Sequence, residues 1–173
     1  MQSQQISLQQ FVEKLQVIVN QPIWRVIHPA DGWLLLDLGK QYQDFISDKD
    51  GSEKPYTKGE YQLAIKGNWE ITQNSDVIES RTVKHNETQE SYFTRMDSLA
   101  NNFPIKTISE ISLSETDIVL SAENGYQIKV TATGLDDSLG LTIVQLDNEN
   151  MPTAYTHHRY DEELQSLTTI SPQ

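Results

Sequence analysis

The stretch around Glu123-Asn124-Gly125 constrains the fold most strongly, because apolar residues alternate on both sides of this three-residue turn. With three loop residues, Leu120 opposes Ile128 and Ile118 opposes Val130, so the apolar side chains share one face. Glycine at the last loop position suits the left-handed backbone that such a turn requires. The pattern predicts an antiparallel hairpin with one buried face.

A second hairpin is predicted around Lys66-Gly67-Asn68 by the same argument. A three-residue loop opposes Ile65 to Trp69 and Leu63 to Ile71, whereas a two-residue loop would pair apolar with polar residues. The longer loop places its asparagine in a left-handed conformation, which asparagine tolerates. We therefore expect the strands 60–66 and 69–73 to pair.

Two segments have the period of an amphipathic helix rather than of a strand. The first begins after Ser7, where Gln10 completes a capping box, and it ends at Asn20 and Pro22. The second spans residues 88–101. The apolar residues at helical steps are Leu8, Phe11, Val12, Leu15 and Val19 in the first segment, and Tyr92, Phe93, Met96, Leu99 and Ala100 in the second.

Strand-like patterns recur along the rest of the chain, at residues 24–28, 33–38, 77–83, 105–113, 140–146 and 154–160. Residues 47–58 are polar and contain glycine and proline, which predicts an exposed loop. We expect a single α+β domain over 1–173, with a mostly antiparallel sheet of six to eight strands, which can be strongly curved, and two helices. For the segment after about residue 160, the sequence leaves open whether it is an ordered or a disordered tail.

Acidic residues outnumber basic ones by 25 to 13, which gives a net charge of −12 at pH 7. Residues 1–86 hold nine basic and eleven acidic residues, whereas residues 87–173 hold four basic and fourteen acidic ones. Such a surface disfavours nucleic acid and anionic membranes, because both kinds of binding depend on neutralising anions with cations. A basic protein is a compatible partner. The candidate contacts are carboxylates of the second half: Asp136, Asp137, Asp161, Glu162 and Glu163.

The residue types that most catalytic and metal sites need are missing or badly spaced. The chain has no cysteine, which excludes thiolate metal sites, iron–sulfur clusters and cysteine nucleophiles. With Gly51 as the sixth residue of a calcium loop, the first ligand falls on Ile46, which has no carboxylate. His157 and His158 point to opposite faces of a strand and so do not share one ion. We expect no catalytic residue, no metal site and no cofactor.

The ends and apolar runs of the chain bear on its location. The N-terminus has neither the basic patch nor the apolar stretch of a signal peptide. The longest unbroken apolar run covers residues 33–36, far short of the ~18 residues of a membrane span. These features predict a cytoplasmic protein without membrane association.

The tryptophans Trp24, Trp33 and Trp69 fall at or near the ends of predicted strands. Large aromatic side chains at such places usually pack in the core or at a sheet edge. A second interpretation is an aromatic-lined cup between sheet and helix for a small apolar ligand, formed by Trp33, Tyr61 and Trp69. The sequence leaves both interpretations open.

Three short stretches lie in the middle of the chain, at residues 59–63 (GEYQL), 69–71 (WEI) and 77–81 (VIESR). These stretches resemble a family of small uncharacterised bacterial proteins, and the similarity extends over 20–24 and 113–130. The chain departs from the family pattern at Glu79, where glycine is usual, and at Glu70, where a basic residue is usual. The resemblance implies no established activity and a loose association with immunity proteins of bacterial toxin systems.

Two functional hypotheses follow. The first is a non-enzymatic domain that binds a basic protein through its acidic second half, in an immunity-like role. The second is a small-molecule binding module that uses the aromatic cup. Self-association into a homo-oligomer through an exposed sheet edge is compatible with both hypotheses.

Overall fold

Alternating apolar residues form twelve strands in the described part of the chain, and two amphipathic segments form α-helices. The structure, a computed structural model, describes residues 2–6, 8–115, 117–131, 139–161 and 166–171. The helices are α1 (Leu8–Leu15) and α2 (Gln89–Asn101), and the strands are β1 (Gln2–Ile6), β2 (Ile23–Ile27), β3 (Leu34–Ser47), β4 (Glu53–Ile65), β5 (Trp69–Gln73), β6 (Asp76–Ser80), β7 (Ile108–Ser114), β8 (Asp117–Ala122), β9 (Tyr126–Thr131), β10 (Leu139–Leu146), β11 (Pro152–Asp161) and β12 (Ser166–Ser171).

The strands form two antiparallel sheets that share one core. The first sheet has the order β1-β12-β11-β10-β4-β3-β2, and the second has the order β6-β5-β9-β8-β7. One face of each sheet and the apolar faces of both helices contribute to the same cluster of buried side chains. This arrangement confirms the predicted α+β class. Representative core residues are Phe11, Leu36, Leu63, Ile71, Met96, Leu120 and Leu141.

The hairpin around Glu123–Gly125 is confirmed in its register. Leu120 pairs with Ile128, and Ile118 pairs with Val130. The glycine of the turn has φ 77°, the left-handed backbone that was expected there. The apolar partners all face the core, so local alternation was sufficient to specify this pair of strands.

The predicted pairing of residues 60–66 with 69–73 is wrong. β4 lies in the first sheet between β3 and β10, whereas β5 lies in the second sheet between β6 and β9. Ile65 pairs with Leu34 and with Leu139 instead. Alternation specifies which face of a strand is apolar, but several distant strands carry a face that matches it equally well.

The segment Lys66-Gly67-Asn68 is a crossing between the two sheets rather than a hairpin loop. The Arg81 guanidinium donates hydrogen bonds to the carbonyl oxygens of Lys66 and Gly67. The Asn68 carbonyl accepts a hydrogen bond of 2.8 Å from the Thr131 amide. Asn68 does not adopt the left-handed conformation that the hairpin would have required.

The predicted loop over residues 47–58 is also wrong for most of its length. Residues 41–47 pair with 53–59 in a continuous antiparallel ladder, and only residues 48–52 form the turn. The segment is exposed, as expected, so its strands carry polar side chains on both faces. Polarity therefore indicated exposure correctly but did not exclude a strand.

Both chain termini add strands that the sequence did not predict. Residues Ser166–Ser171 form β12, which pairs with β11 on one side and with the N-terminal β1 on the other. These residues of the tail are therefore ordered as a strand, and the count of six to eight strands was too low. Ser7, the predicted cap of α1, lies outside the described residues.

The two helices occur where their periodicity placed them. The first runs over Leu8–Leu15 and continues as a 3-10 turn over Gln16–Ile18. In the second, which runs over Gln89–Asn101, the Thr88 hydroxyl caps the N-terminus by accepting a 3.1 Å hydrogen bond from the Ser91 amide. Neither helix in the described chain has the length and apolar character needed to cross a membrane.

A buried carboxylate joins the three strands at one edge of the first sheet. Asp37 on β3 has no exposed surface. Its Oδ2 accepts a 2.7 Å hydrogen bond from Arg25 Nε on β2. Its Oδ1 accepts hydrogen bonds from the Gly59 amide at 2.9 Å and from Gln62 Nε2 at 2.8 Å, both on β4. Buried charge is stable only when it is paired in this way.

A second ionic cluster fastens α2 to the edge strand β6. Arg95 on α2 donates two hydrogen bonds of 2.9 Å to the Glu87 carboxylate and pairs with Glu79 on β6. The same guanidinium donates to the carbonyl oxygens of Ser80 at 3.3 Å and of Thr82 at 3.0 Å. These contacts occupy part of the backbone edge that β6 would otherwise expose.

The cluster predicts a specific loss of stability in acid. Hydrogen bonds from Arg95 and from the Lys84 amide lower the pKa of Glu87 from 4.5 to about 2. The stabilisation from Glu87 is therefore complete above pH 4.5 and is lost as the pH falls towards 2. We expect Glu87→Gln to be less stable than the wild type at neutral pH and to lose less stability over that interval, as measured by urea unfolding.

Glu110→Gln is the matched control, because the Glu110 side chain is exposed on β7 and has no hydrogen-bond partner in the described chain. Its unfolding curves should follow those of the wild type between pH 4.5 and 2. Equal acid sensitivity of the wild type and Glu87→Gln would contradict this interpretation of the cluster.

Candidate functional site

The acidic residues predicted as partner contacts are only partly within the described residues. Asp161 is the last residue of β11, and Asp136, Asp137, Glu162 and Glu163 lie outside the described residues. β10 begins at Leu139, and Gly140 pairs with Arg159, two residues before the end of β11. Leu139, which follows Asp136 and Asp137 closely in the sequence, and Asp161 therefore lie at the same end of the β10–β11 pair.

The predicted aromatic cup is not assembled by its three residues. Trp69 is buried in the core, and its indole nitrogen donates a 2.7 Å hydrogen bond to the Gly32 carbonyl. Trp33 is half-buried, with the Lys66 ammonium 4.9 Å from its ring centroid. Tyr61 packs against the core from the same face of β4 as Leu63 and Ile65, roughly 13 Å along the strand from Ile65. Trp69 lines a cleft of about 250 Å³ with residues of β6 and β9, and neither Trp33 nor Tyr61 takes part in it.

A two-stranded arm extends from the first sheet. The pairing of β2 with β3 ends at Leu38, and the pairing of β10 with β4 ends at Tyr61. Beyond those points, residues 41–47 and 53–59 pair only with each other among the described strands. We call these two segments, with the turn 48–52 that joins them, the arm.

The tip of the arm presents two large apolar side chains to solvent. Phe45 pairs with Pro55 and Ile46 pairs with Lys54 across the ladder. Phe45 is 53% exposed and Ile46 is 50% exposed. Because consecutive residues of a strand point to opposite faces, the arm is apolar on both sides near its tip.

Hydrogen bonds hold the turn of the arm in one conformation. The Asp48 amide donates a 2.7 Å hydrogen bond to the Ser52 carbonyl, and the Gly51 amide donates one of 3.0 Å to the Asp48 carbonyl. Lys54 forms a 2.9 Å ion pair with Asp48. Phe45 and Ile46 are therefore carried by an ordered ribbon rather than by a loop.

The turn between β10 and β11 lies beside the base of the arm. Asp147 organises it, because its Oδ1 accepts hydrogen bonds from the amides of Glu149 at 2.8 Å and Met151 at 2.9 Å. Together with the arm, the turn borders an open cavity of about 380 Å³. We call the arm and residues 147–151 the arm-and-turn surface. Its cavity is lined by Gln41, Tyr42, Gln43, Thr57, Glu149, Asn150 and Met151.

Tyr42 connects the arm to β11. Its side chain is buried, and its hydroxyl is hydrogen-bonded to Tyr155. Burial raises the pKa of Tyr42 far above its usual range, and the nearby Tyr155 and Asp44 raise it further. The phenol therefore stays neutral in the folded protein, as its buried position requires.

The arm-and-turn surface is acidic around its apolar tip. Its two paired cations, Lys54 and Lys58, form ion pairs with Asp48 and Asp44. Asp50 accepts hydrogen bonds from Ser52, which lower the pKa of this exposed carboxyl and keep it ionised. Five further charged side chains of this surface have no ion-pair partner in the described chain. One is a cation, Lys49, and four are carboxylates: Asp50, Glu53, Asp147 and Glu149.

The described residues contain no group of three or more side chains placed to hold a metal ion. Sequence reasoning missed the arm because it took residues 47–58 as a loop. The available signal was the pair Phe45-Ile46, which stands in an otherwise polar stretch directly before an aspartate- and glycine-containing turn. Two adjacent apolar residues of a strand point to opposite faces, so in a polar stretch that is not covered on both faces at least one of them is exposed.

Comparisons of the chain with protein-family models, with curated proteins and with solved structures find no significant match.

The buried phenol predicts a loss of stability in alkali. The unfolded chain releases the Tyr42 proton near pH 10, whereas the folded protein retains it, so the free energy of unfolding falls as the pH rises above 10. In Tyr42→Phe, we expect the free energy of unfolding to fall less steeply with pH than in the wild type. The two slopes should differ by at most about 1.4 kcal/mol per pH unit. Urea unfolding between about pH 9 and 11 measures this difference.

Tyr126→Phe is the control, because Tyr126, at the start of β9, is only partly buried and lies away from the arm. It should show the alkaline slope of the wild type. An unchanged slope in Tyr42→Phe would contradict the assignment of a neutral, buried phenol at the base of the arm.

Proposed function

We propose that this protein is a non-enzymatic domain that binds a basic protein through the arm-and-turn surface. The observation that carries the proposal is the pair Phe45 and Ile46, each at least half exposed on an ordered ribbon. Exposing two adjacent large apolar side chains costs solubility, and such patches, rimmed by polar residues, are typical of interaction sites.

The arm favours a partner with a groove. Since Phe45 and Ile46 point to opposite faces of the ribbon, a partner that covers both must enclose the tip. The ribbon is already hydrogen-bonded as two paired strands, so its backbone loses less conformational entropy on binding than a loop would. Apolar anchors in the centre of a contact contribute most of the binding free energy.

Charge favours a basic partner. The surface carries four unpaired carboxylates against one cation, and the whole chain has a net charge of −12. Complementary charge around an apolar centre increases the association rate and discriminates against acidic partners. A basic toxin, which fits both this charge and the resemblance to immunity-type proteins, is a partner of this kind.

The acidic residues predicted from the sequence form a separate part of the proposal. β11 has ten residues, so its end at Asp161 is roughly 30 Å from its beginning next to Met151. A partner bound at the arm therefore contacts Asp161 and the other predicted acidic residues only if this partner is large enough to reach both ends of the β10–β11 pair. Charge reversal at Asp136, Asp137, Asp161, Glu162 and Glu163 tests this extension independently of the arm.

The proposal predicts that the arm is required for capture of a basic protein. The tagged chain is used as bait in a lysate of the cells that produce it, and retained proteins are identified by mass spectrometry. We expect one stoichiometric protein of high isoelectric point, with at least tenfold less retained by Phe45→Ser/Ile46→Ser. Glu53→Lys/Glu149→Lys should slow association and weaken its dependence on salt.

The matched control is Val77→Ser/Ile78→Ser, which removes two adjacent and similarly exposed apolar side chains from the edge strand β6. This variant should retain the partner as the wild type does. The proposal fails if the partner is acidic, if the arm variant and the β6 variant lose it equally, or if an unrelated bait of equal charge retains the same protein.

A further inference from the structure

The cavity of the arm-and-turn surface opens on the same face of the arm as Phe45. Gln41, Gln43 and Phe45 are alternate residues of β3, and alternate residues of a strand point to one face. Thr57, the partner of Gln43 across the ladder, lines the cavity together with both glutamines. Phe45 is two residues beyond Gln43, which places it roughly 7 Å along the strand from the cavity. A partner that covers this face of the tip therefore also reaches the cavity.

The polar groups that line this cavity are accessible to a ligand. Four lining residues are exposed and Thr57 is partly exposed, the four being Gln41, Gln43, Glu149 and Asn150. None of these side chains forms a hydrogen bond with another residue of the described chain. Their amide, hydroxyl and carboxylate oxygens all accept hydrogen bonds. The cavity therefore offers a ligand several acceptors that no described group of the protein uses.

The charge around the cavity is negative. Glu149 is the one charged residue among the described residues that line it. Asp147, in the same turn, adds a second carboxylate, whose Oδ1 accepts hydrogen bonds from the amides of Glu149 and Met151. Lys58 points to the other face of the arm and forms an ion pair with Asp44. The cavity therefore favours a cationic ligand and disfavours an anionic one.

We propose that this cavity binds an arginine side chain of the basic partner, beside the apolar contact at Phe45. The inference rests on the function proposed above and specifies the chemistry of the same surface. A guanidinium presents several N–H donors in one plane, and the Glu149 carboxylate accepts a parallel pair of them. The remaining donors find acceptors in the side-chain amide oxygens of Gln41, Gln43 and Asn150.

Two features of the cavity favour arginine over lysine. Its acceptors are spread over both strands of the arm and the turn, which suits the broad, planar guanidinium better than the compact ammonium of lysine. Met151 lines the cavity and is 44% exposed, so its side chain offers an accessible apolar surface to the aliphatic stem of an arginine.

The test observes the methionine methyl signals of the full chain in proton–carbon NMR spectra. The sequence has three methionines: Met151 lines the cavity, Met96 has no exposed surface, and Met1 lies outside the described residues. Met151→Leu identifies the Met151 signal by its loss. The probes are N-acetylarginine amide, N-acetyllysine amide and N-acetylcitrulline amide, which has the shape of the arginine probe without its charge. All titrations are made at one ionic strength.

We expect the arginine probe to shift the Met151 signal in a saturable way at millimolar concentration. The buried Met96 signal should stay in place. The citrulline probe should bind at least about threefold more weakly, because it cannot form the ion pair with Glu149. The lysine probe should also bind at least about threefold more weakly, because its ammonium cannot form the parallel pair of hydrogen bonds.

Variants of two glutamates separate a contact in the cavity from the general charge of the surface. Glu149→Gln should weaken binding of the arginine probe about threefold, because an exposed ion pair contributes modestly, and Glu149→Lys at least about tenfold, because like charges repel. Glu53→Gln and Glu53→Lys are the matched controls and should bind the probe as the wild type does. Glu53 is exposed on the same arm but lies roughly 13 Å from Thr57 along β4, which exceeds the screening length at physiological salt.

Each of four results would overturn the proposal. If the arginine probe leaves the Met151 signal unmoved at millimolar concentration, the cavity binds no arginine side chain. If the citrulline probe binds as tightly, the cavity recognises shape and not charge. If the lysine probe binds as tightly, it recognises positive charge and not the guanidinium. If Glu149→Lys and Glu53→Lys bind the arginine probe alike, the contact lies elsewhere.

This outcome is separate from that of the proposed function, because the probes need no partner protein. Partner capture that depends on Phe45 and Ile46, without saturable binding of the arginine probe, would refute the arginine subsite alone. Saturable binding of the probe, without a captured basic protein, would refute the proposed function alone.

Discussion

The carboxylate of Asp37 is completely buried, and its three hydrogen bonds determine the geometry of one edge of the first sheet. Its Oδ2 holds Arg25 on β2, and its Oδ1 holds Gly59 and Gln62 on β4. Removing one partner from a buried charge is strongly destabilising, so each of these contacts contributes to the stability of this edge. The arm to which we assign partner binding begins at these hydrogen bonds.

On the β4 side, Gly59 pairs with Gln41, and this is the last pair of the arm before the register shift between Leu38 and Gln41. The carboxylate thus fixes the point at which β3 and β4 leave the sheet and continue as a ribbon towards Phe45. On the β2 side, the same carboxylate holds Arg25 next to the bulge at Trp24. A structural charge of this kind contributes to function through the groups it positions.

Much of the secondary structure could be predicted from the sequence, because periodicity is a local property. The hairpin at Glu123–Gly125 and the helix at Gln89–Asn101 were located from their own residues. The partners of β4 and β5 could not be predicted, because any strand with a matching apolar face satisfies the same alternation. The sequence showed that Asp37 was an acidic residue within an apolar strand, but its partners are 12 and 22 or more residues away. The arm-and-turn surface could therefore not be assembled from local patterns.

The anchoring function of Asp37 is tested most directly by amide hydrogen exchange of the wild type and Asp37→Asn, which keeps the shape of the side chain and removes its charge. We predict that exchange becomes at least about tenfold faster at Gly59, whose backbone amide donates to the carboxylate, as expected for loss of a charge-assisted hydrogen bond. The hairpin of β8 and β9, in the other sheet, should keep its protection. Equal acceleration in both sheets, or no change at Gly59, would contradict the conclusion that one buried carboxylate positions the base of the arm.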